Sequence, residues 1–270
     1  MKKLLVISLM MLAGVGTVSA QEDKMIFNHL GVGLGLGTTG ITIDASTTIT
    51  PYVGVRAGVN IFPTIKIDTD VDLDISNSDR QLYNSITGST LPNEVDVQGK
   101  TALTTGHLLF DVYPFPQASS FHVTAGAYFG ASKIVKVYNT NCFDVLQNVY
   151  QFNHRQGAFN TPLLANAGKI GADLGDYFLE PDANGTVNAS VKVGGFRPYL
   201  GVGFGRAVPK NRIGYQFDLG VQFWGKPKVY LEDHQLTESD TKGKGGGAIK
   251  TISKIAVWPV LSFRLVGRIL

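Results

Sequence analysis

The 270-residue sequence has one cysteine, no strong excess of charge and, after its first twenty residues, no long apolar run. The single cysteine, Cys142, excludes an internal disulfide bond. Lys and Arg total 24 against 21 Asp and Glu, so the chain lacks a basic stripe and we expect no nucleic-acid partner. Because a membrane helix needs about 20 apolar residues, the mature chain could span a bilayer only as a closed β-barrel.

The first twenty residues have the three-part layout of a secretory signal peptide. Lys2 and Lys3 give a positive start, residues 4–15 are uncharged and mostly apolar, and small residues precede Gln21. A retained helical anchor would need about 20 apolar residues, and this stretch has fewer. We therefore predict that residues 1–20 are a cleaved signal peptide and that the mature chain is exported.

Apolar and polar residues alternate in segments that are long enough for membrane-spanning strands. The clearest is 213–223, in which odd-numbered positions are apolar and even-numbered positions are Gly, Gln or Asp. A soluble β-sandwich could show the same alternation, with its apolar face in a core. A membrane barrel is favoured because glycines crowd the polar faces of 31–35 and 201–205, where a narrow lumen has little room, and because aromatic residues collect near segment ends.

Alternating short turns and long polar loops predict the topology, since short turns belong on the periplasmic side and long loops outside the cell. The long loops are expected near 77–94, 139–186 and 232–251. We predict a single all-β domain over 21–270, a transmembrane antiparallel up-and-down β-barrel of about eight strands, with ten as the alternative. The predicted strands are 29–37, 40–49, 51–75, 97–114, 120–138, 187–206, 212–231 and 254–270, with 38–40 as either a turn or a kink and a β-bulge at Gly194 and Gly195.

This register directs a set of charged and titratable side chains into the lumen. An eight-stranded barrel is just wide enough for side chains to fill it, and buried charges must be paired. We therefore interpret the set as a structural network, with a proton or ion path as the less favoured alternative. Its members are Asp44, Arg56, His107, Asp111, His122, Asp218 and Arg264.

Two further groups of residues are candidate binding sites outside the barrel. Four carboxylates at spacing two could bind a hard cation such as calcium, although the favoured interpretation is a solvated strand face: Asp68, Asp70, Asp72 and Asp74. Apolar residues in the loop 139–186 need something to bury against, which indicates the barrel itself, a partner protein or lipopolysaccharide. The candidates for partner binding are Phe143, Leu146, Tyr150 and Phe152.

The sequence has no recognisable catalytic motif. His107 and His122 could approach one another across a hairpin, but no nucleophile motif accompanies them. The glycines of 31–35 are not followed by a helix, so they do not form a nucleotide-binding loop, and metal-ligand spacing is absent. We expect no active site, no metal and no cofactor.

Several motifs in the chain resemble those of a family of small exported bacterial β-barrels, broadly like the outer-membrane protein A and W types. They are GTTGITI (37–43), VRAG (55–58), LFDVYPF (109–115), RPYLGVGFG (197–205), FDLGVQFWGKPKV (217–229) and WPVLS (258–262). The resemblance implies an integral protein of the outer membrane of a Gram-negative bacterium, in contact with outer-membrane lipid, lipopolysaccharide and other outer-membrane proteins. It also implies insertion by the barrel-insertion machinery, although the chain ends in Leu270 where such barrels usually end in an aromatic residue.

Three functions follow from these observations. The first is a non-enzymatic structural or partner-binding barrel whose lumen is filled by side chains. The alternative is a narrow porin-like conduit for small or apolar molecules, and the remote alternative is a lipid A-modifying enzyme.

Overall fold

The computed structural model describes residues 29–174, 177–232, 234–236 and 256–269. The predicted signal peptide and most of the predicted loop 232–251 lie outside these residues. In the described part of the chain, no helix is long and apolar enough to cross a membrane.

Strands dominate the described residues. In chain order the elements are β1 (Leu30–Gly37), β2 (Gly40–Thr50), β3 (Val53–Ile61), β4 (Lys66–Asp74), α1 (Asn77–Thr87), β5 (Glu94–Thr101), β6 (Thr105–Val112), β7 (Phe121–Gly130), β8 (Lys133–Asn139), α2 (Phe143–Asn153), β9 (Gly171–Leu174), β10 (Tyr177–Leu179), β11 (Asn188–Lys192), β12 (Phe196–Gly205), β13 (Ile213–Phe223), β14 (Lys228–Leu231), β15 (His234–Gln235) and β16 (Val257–Arg268).

Eight strands close into an antiparallel barrel, which confirms the predicted fold and strand number and makes the ten-strand alternative wrong. Around the wall the order is β1, β2, β3, β6, β7, β12, β13 and β16, and β16 closes on β1. Each barrel strand therefore pairs with the next barrel strand along the chain. We call the end with the β2–β3, β6–β7 and β12–β13 turns the base, and the opposite end the rim.

Residues 38–40 form a tight turn between β1 and β2 and not a kink. Gly37 pairs with Gly40 across this hairpin. Gly40 has a φ of +99°, and a Cβ atom there would lie 2.4 Å from the carbonyl oxygen of Ile61. Only glycine meets both requirements.

Five of the predicted strands are each divided in two at the rim. A β-bulge was predicted at Gly194 and Gly195, but the structure has an interruption between two strands at 193–195. Within this interruption the Gly194 N–H donates to the carbonyl of Trp224 at 2.7 Å. The register shift lies instead between Val191 and Lys192, in β11. The other interruptions are at 62–65, 102–104, 131–132 and 224–227.

Beyond the rim the outer parts of these five strands, together with β9, β10 and β15, form an eight-stranded sheet, which we call the extension sheet. Its order is β10-β9-β4-β5-β8-β11-β14-β15. The strands β4, β5, β8, β11 and β14 are next in the chain to β3, β6, β7, β12 and β13, respectively, and keep their order around the wall. The extension sheet therefore continues one side of the barrel wall.

The inner face of the extension sheet carries a hydrophobic core that includes residues of α1 and α2. Ser76 caps α1 by accepting a hydrogen bond from the Asp79 N–H at 3.1 Å, and Gly88 ends it in the left-handed region. The long connections predicted at 77–94 and 139–186 lie between barrel strands, and they hold α1, α2, β9 and β10. Their apolar residues bury one another against the sheet.

Candidate functional site

Charged side chains fill the middle of the barrel. The structure brings together, inside the lumen, the seven residues that the sequence register directs inward, and none of them is more than 6% exposed. They come from six of the eight strands: Asp44, Arg56, His107, Asp111, His122, Asp218 and Arg264.

Arg56 on β3 connects carboxylates on two other strands. Its Nη1 donates to Oδ2 of Asp218 at 2.9 Å, and its Nη2 donates to Oδ1 of Asp111 at 2.8 Å. The hydroxyl of Thr124 donates to the same oxygen of Asp111 at 2.7 Å. A planar guanidinium has enough separate donors to reach both carboxylates at once, so one cation partners two buried anions.

A second guanidinium, that of Arg264 on β16, is bound by Asp44 on β2. Nε donates to Oδ2 of Asp44 at 2.7 Å and Nη2 donates to Oδ1, which makes the pair bidentate. Nη1 donates to Oε1 of Gln216 at 2.5 Å, and the Gln216 amide donates to Asp111 at 3.2 Å. Gln216 therefore joins the two ion pairs into one network.

The two interior histidines lie at opposite ends of the β6–β7 hairpin. His107 lies opposite Tyr128, whereas the ring of His122 packs beside that of Tyr113 with centroids 5.3 Å apart. The possible approach of the two histidines does not occur, because the extended segment from 107 to 113 that separates their positions along the hairpin spans about 20 Å. Nε2 of His122 lies 2.8 Å from Oδ1 of Asp218, so this ring belongs to the Arg56 ion pair and not to a two-histidine site.

Inward-facing glycines make room for the network. A Cβ atom at Gly33 would lie 2.4 Å from Nε of Arg264, and one at Gly203 would lie 2.6 Å from Nε2 of His122. Side chains at these positions would occupy the space that the charged groups fill. The glycine-lined interior is therefore packed with arginine, histidine and carboxylate groups contributed by facing strands.

The turn between β12 and β13 folds into the base of the barrel. The Ala207 N–H donates to the hydroxyl of Tyr113 at 2.7 Å, and the hydroxyl of Ser46 donates to the Ala207 carbonyl at 2.6 Å. Ala207 is only 1% exposed. This turn covers the base side of the charged network.

The gaps found inside the barrel are small. One of about 20 Å³ lies beside His107 and Arg264, and one of about 10 Å³ lies near the rim beside Arg197 and Trp224. A cavity needs about 10–15 Å³ to hold one water molecule. These gaps have room for single waters and not for a hydrated ion.

Asp111, His122 and Asp218 are the residues of the lumen that come closest to a metal-binding arrangement. One ligand atom from each lies within 4.8 Å of the others. The guanidinium of Arg56 lies against both carboxylates, so a cation of the chain itself occupies the place where a metal would neutralise them. The donor set fits an ion-pair network better than a metal centre.

The four aspartates of β4 do not converge on a point. They alternate along the strand and all are exposed: Asp68, Asp70, Asp72 and Asp74. In the part of the chain that the structure describes, none of them belongs to a group of three ligand atoms close enough for one ion. The geometry therefore fits the solvated strand face better than the calcium site.

The candidates for partner binding separate into buried and accessible residues. Leu146 is 1% exposed and Phe152 is 0% exposed, both in the core of the extension sheet. These two cannot form a partner-binding surface in this structure, so that prediction is corrected for them. Phe143 is 43% exposed, and Tyr150 is partly covered by His154, with ring centroids 4.1 Å apart.

An apolar cavity of about 240 Å³ lies on the inner face of the extension sheet. Leu73, Val95, Leu146 and Leu179 form its buried end, and Ile67 forms its exposed end. Its lining offers almost no polar atom, so it is unsuited to a charged or hydrogen-bonding ligand.

Sequence reasoning missed several polar residues of the lumen because it considered only charged and titratable groups on the inward register. Gln216 has the same alternation as Asp218 and could have been included on that signal alone. Arg197 was missed as well, although it is 2% exposed and donates from Nε to the Gly194 carbonyl at 2.9 Å. It lies just after Gly194 and Gly195, where the predicted β-bulge would break the period-two register, although Val193 and Arg197 are both buried and the alternation carries through.

No protein-family model and no curated protein matches this chain. Among solved structures, the chain is similar to CarO2 of Acinetobacter baumannii, with 15% identity, a TM-score of 0.42 and coverage of 90% of this chain and 99% of that one. The chain is also similar to CarO of the same organism, with 17% identity, a TM-score of 0.42 and coverage of 91% of this chain and 99% of that one. A major outer membrane protein from Thermus thermophilus has 15% identity and a TM-score of 0.31, with coverage of 89% of this chain and 98% of that one. These similarities are too low to support an argument about function, and the resemblance to the outer-membrane protein A and W types stays a prediction.

Proposed function

We propose that this protein is an integral β-barrel of the outer membrane of a Gram-negative bacterium, without enzymatic activity and with a closed lumen. The observation that carries the proposal is the reversed distribution of polarity in the barrel. The charged residues point inward and are buried, whereas outward-facing Ile213, Leu34 and Leu200 are 73%, 61% and 54% exposed. A water-soluble barrel would be destabilised by this arrangement, and a bilayer requires it.

The exposed apolar residues form a band around the barrel. All eight strands contribute to it, and the strands are 8 to 12 residues long, close to the 9–11 residues that a tilted strand needs to span a membrane. Their outward positions include Leu36, Ile43, Ile61, Phe110, Phe129, Phe204, Phe217 and Phe263.

The extension sheet then becomes a folded domain at the cell surface. The turns at the base are short. At the rim a tight turn joins β1 to β2, whereas the other three connections hold α1, α2 and the extension sheet. Short turns face the periplasm in such barrels, which puts the rim outside. The protein would thus be a structural barrel that presents the extension sheet to outer-membrane lipid, lipopolysaccharide and neighbouring outer-membrane proteins.

Cysteine labelling of intact cells tests both location and orientation. The native Cys142 is first replaced by serine, and Asp70→Cys then introduces a thiol on the exposed face of β4. We expect a membrane-impermeant maleimide to label this variant in intact cells. The matched control is Lys210→Cys in the base turn, which should be labelled only after lysis, and the reverse pattern would contradict the proposed orientation.

Conductance tests the closed lumen. Purified protein in a planar bilayer should give no stepwise current, because the lumen is filled by the ion-pair network and the base is covered by the turn at Ala207. A difference in mobility between boiled and unboiled gel samples would show that the silent protein is folded. Regular current steps would instead support the narrow conduit, and the particle mass in mild detergent would show whether other chains accompany the barrel.

A further inference from the structure

Lysine lies opposite lysine on neighbouring strands at the end of the extension sheet nearest the rim. Directly opposed side chains on adjacent strands have Cβ atoms about 4.5–5.5 Å apart, and like charges in such pairs are destabilising. Two rows of three lysines have this arrangement, and we call them the lysine belt: Lys66, Lys100 and Lys136 on β4, β5 and β8, and Lys133, Lys192 and Lys228 on β8, β11 and β14.

The lysine belt lies on the outward face, just beyond the exposed apolar band. Lys133 lies four residues after the outward-facing Phe129, and Lys192 lies four residues before the outward-facing Phe196. The chain neighbours of the belt lysines face inward. Ile134, Val193 and Val229 are buried, and Ile67, Gly99 and Val137 line the cavity on the inner face. Alternation therefore directs the lysines outward. Phe129 and Phe196 are 47% and 61% exposed, with ring centroids 5.5 Å apart, so the belt begins where the apolar band ends.

The lysine belt has no protein counter-ion among the described residues, where no carboxylate oxygen lies within 4.0 Å of a belt ammonium. Acidic pairs on the same face lie farther from the rim, where Asp70 faces Asp96 and Asp72 faces Glu94. A face adapted to water alone would gain by pairing opposite charges across strands. The charges are instead sorted by their distance from the apolar band.

Two ammonium groups of the lysine belt lie over the rings of tyrosines. Nζ of Lys192 lies 3.7 Å from the ring centroid of Tyr230, and Nζ of Lys100 lies 4.9 Å from that of Tyr138. Such contacts favour the cation over the ring face. Tyrosine is also enriched where a protein meets the polar surface of a membrane.

We propose that the lysine belt binds the phosphate groups of phosphorylated lipid in the outer leaflet of the outer membrane. The inference rests on the proposed function, since it requires the apolar band to lie in the bilayer. Lipid phosphates then lie beside the belt, at the boundary of the hydrocarbon region. Ammonium groups bind phosphate as compact charges, and a bound phosphate offsets the repulsion between opposed lysines.

Energy transfer from the two tryptophans of the chain tests this proposal, because Trp224 and Trp258 lie at the rim with ring centroids 4.9 Å apart. The full-length protein is reconstituted in phosphatidylcholine vesicles with a trace of dansyl-labelled lipid A that carries two phosphates. We expect lipid A to be enriched around the wild-type rim. The variant K100Q/K136Q should lower its relative association constant about twenty-five-fold, at roughly a factor of five per lysine.

Matched variants separate the charge effect from a general loss of structure. K169Q/K210Q removes the same charge far from the belt and should leave the association unchanged, whereas K100R/K136R keeps the charge and should retain the enrichment. Lipid A without its phosphates should show no enrichment. Equal enrichment of both forms of lipid A, or no response to K100Q/K136Q, would overturn the proposal.

Two further outcomes are distinguishable. Free inorganic phosphate at millimolar concentration should not displace lipid A, and complete displacement would mean a site for a free anion and not for a membrane lipid. If the proposed function itself fails, the protein will not float with vesicles of any composition. If only the inference about the lysine belt fails, the protein will insert without preferring the phosphorylated lipid.

Discussion

Arg56 and Asp218 connect opposite walls of the barrel. Their strands, β3 and β13, are four positions apart in either direction around the eight-stranded wall, yet Nη1 of Arg56 lies 2.9 Å from Oδ2 of Asp218 and Nη2 lies 3.2 Å from Oδ1. The contact therefore crosses the full width of the lumen. It stabilises the closed barrel against flattening and fills the space through which a solute would have to pass.

Arg56→Ala should strongly destabilise the barrel, because it leaves the carboxylates of Asp111 and Asp218 buried without their cation. Loss of one partner of a buried ion pair costs about 3–5 kcal/mol. Arg56→Lys should have an intermediate effect, since one ammonium cannot donate to both carboxylates with the geometry of a guanidinium. Urea unfolding of the refolded protein in phospholipid micelles measures these differences.

The control for this prediction is Arg212→Ala, an exposed arginine in the base turn. Its effect on the free energy of unfolding should stay within about 0.5 kcal/mol. An Arg56→Ala protein as stable as this control would show that the lumen charges are solvated and that the network does not hold the walls together.

The barrel was predictable from the sequence because each of its strands has an apolar face and a polar face. Where a strand leaves the barrel, the same alternation continues, and the sequence therefore gives no sign of a break. The predicted strand 120–138 keeps its outward register from Phe129 to Lys133 across the interruption at 131–132. The alternation of apolar and polar residues predicts which face of a sheet a residue occupies. It does not predict which of two successive sheets the residue belongs to.

The extension sheet was not predicted because its helices were interpreted as loops. The apolar residues Leu146, Val149 and Phe152 recur at a spacing of three, which is typical of one face of a helix, and all three are buried in α2. This signal was present in the sequence. The residues that cover that face could not be read from the local sequence, because many of them, such as Tyr83, Leu91 and Val229, come from distant segments of the chain.

Gly203→Ala should prevent correct closure of the lumen. A Cβ atom at Gly203 would lie 2.4 Å from the carbonyl oxygen of Phe217 and 2.7 Å from Oδ1 of Asp218, so either the β12–β13 pairing or the ion pair must shift. We expect a lower yield of the heat-modifiable folded band on gels. Gly106→Ala is the control, because its nearest neighbour would be 3.7 Å away, and equal yields of the two variants would contradict this packing argument.

Phe152→Ala should unfold the extension sheet and leave the barrel intact. Removal of a buried phenylalanine costs about 3–5 kcal/mol, and Phe152 packs in the core between Tyr83 and Phe159, with ring centroids 6.0 and 5.6 Å away. Limited proteolysis should then cleave within 139–186 while the barrel still shows its mobility shift. Phe143→Ala, at a position that is 43% exposed, should remain resistant, and equal resistance of both variants would argue against a packed core.

Asp182 should make the stability of the extension sheet depend on pH. Burial disfavours its carboxylate, but hydrogen bonds from the Thr186 hydroxyl at 2.6 Å and from the N–H groups of Thr186 and Asn184 at 2.7 and 2.9 Å lower its pKa below the ordinary value. A lowered folded-state pKa contributes stability that is fully present above the ordinary Asp pKa of about 4 and is lost as the pH falls through the folded-state value.

Asp182→Asn should therefore lower the melting temperature of the extension sheet at pH 7, and the difference from the wild type should shrink as the pH falls below about 4. The reason is that the protonated aspartic acid and asparagine are then similar hydrogen-bond acceptors. Asp70→Asn, on the exposed face of β4, is the control and should stay close to the wild type at pH 7. A difference for Asp182→Asn that is the same at pH 7 and pH 3 would mean that the charge of Asp182 does not stabilise this turn.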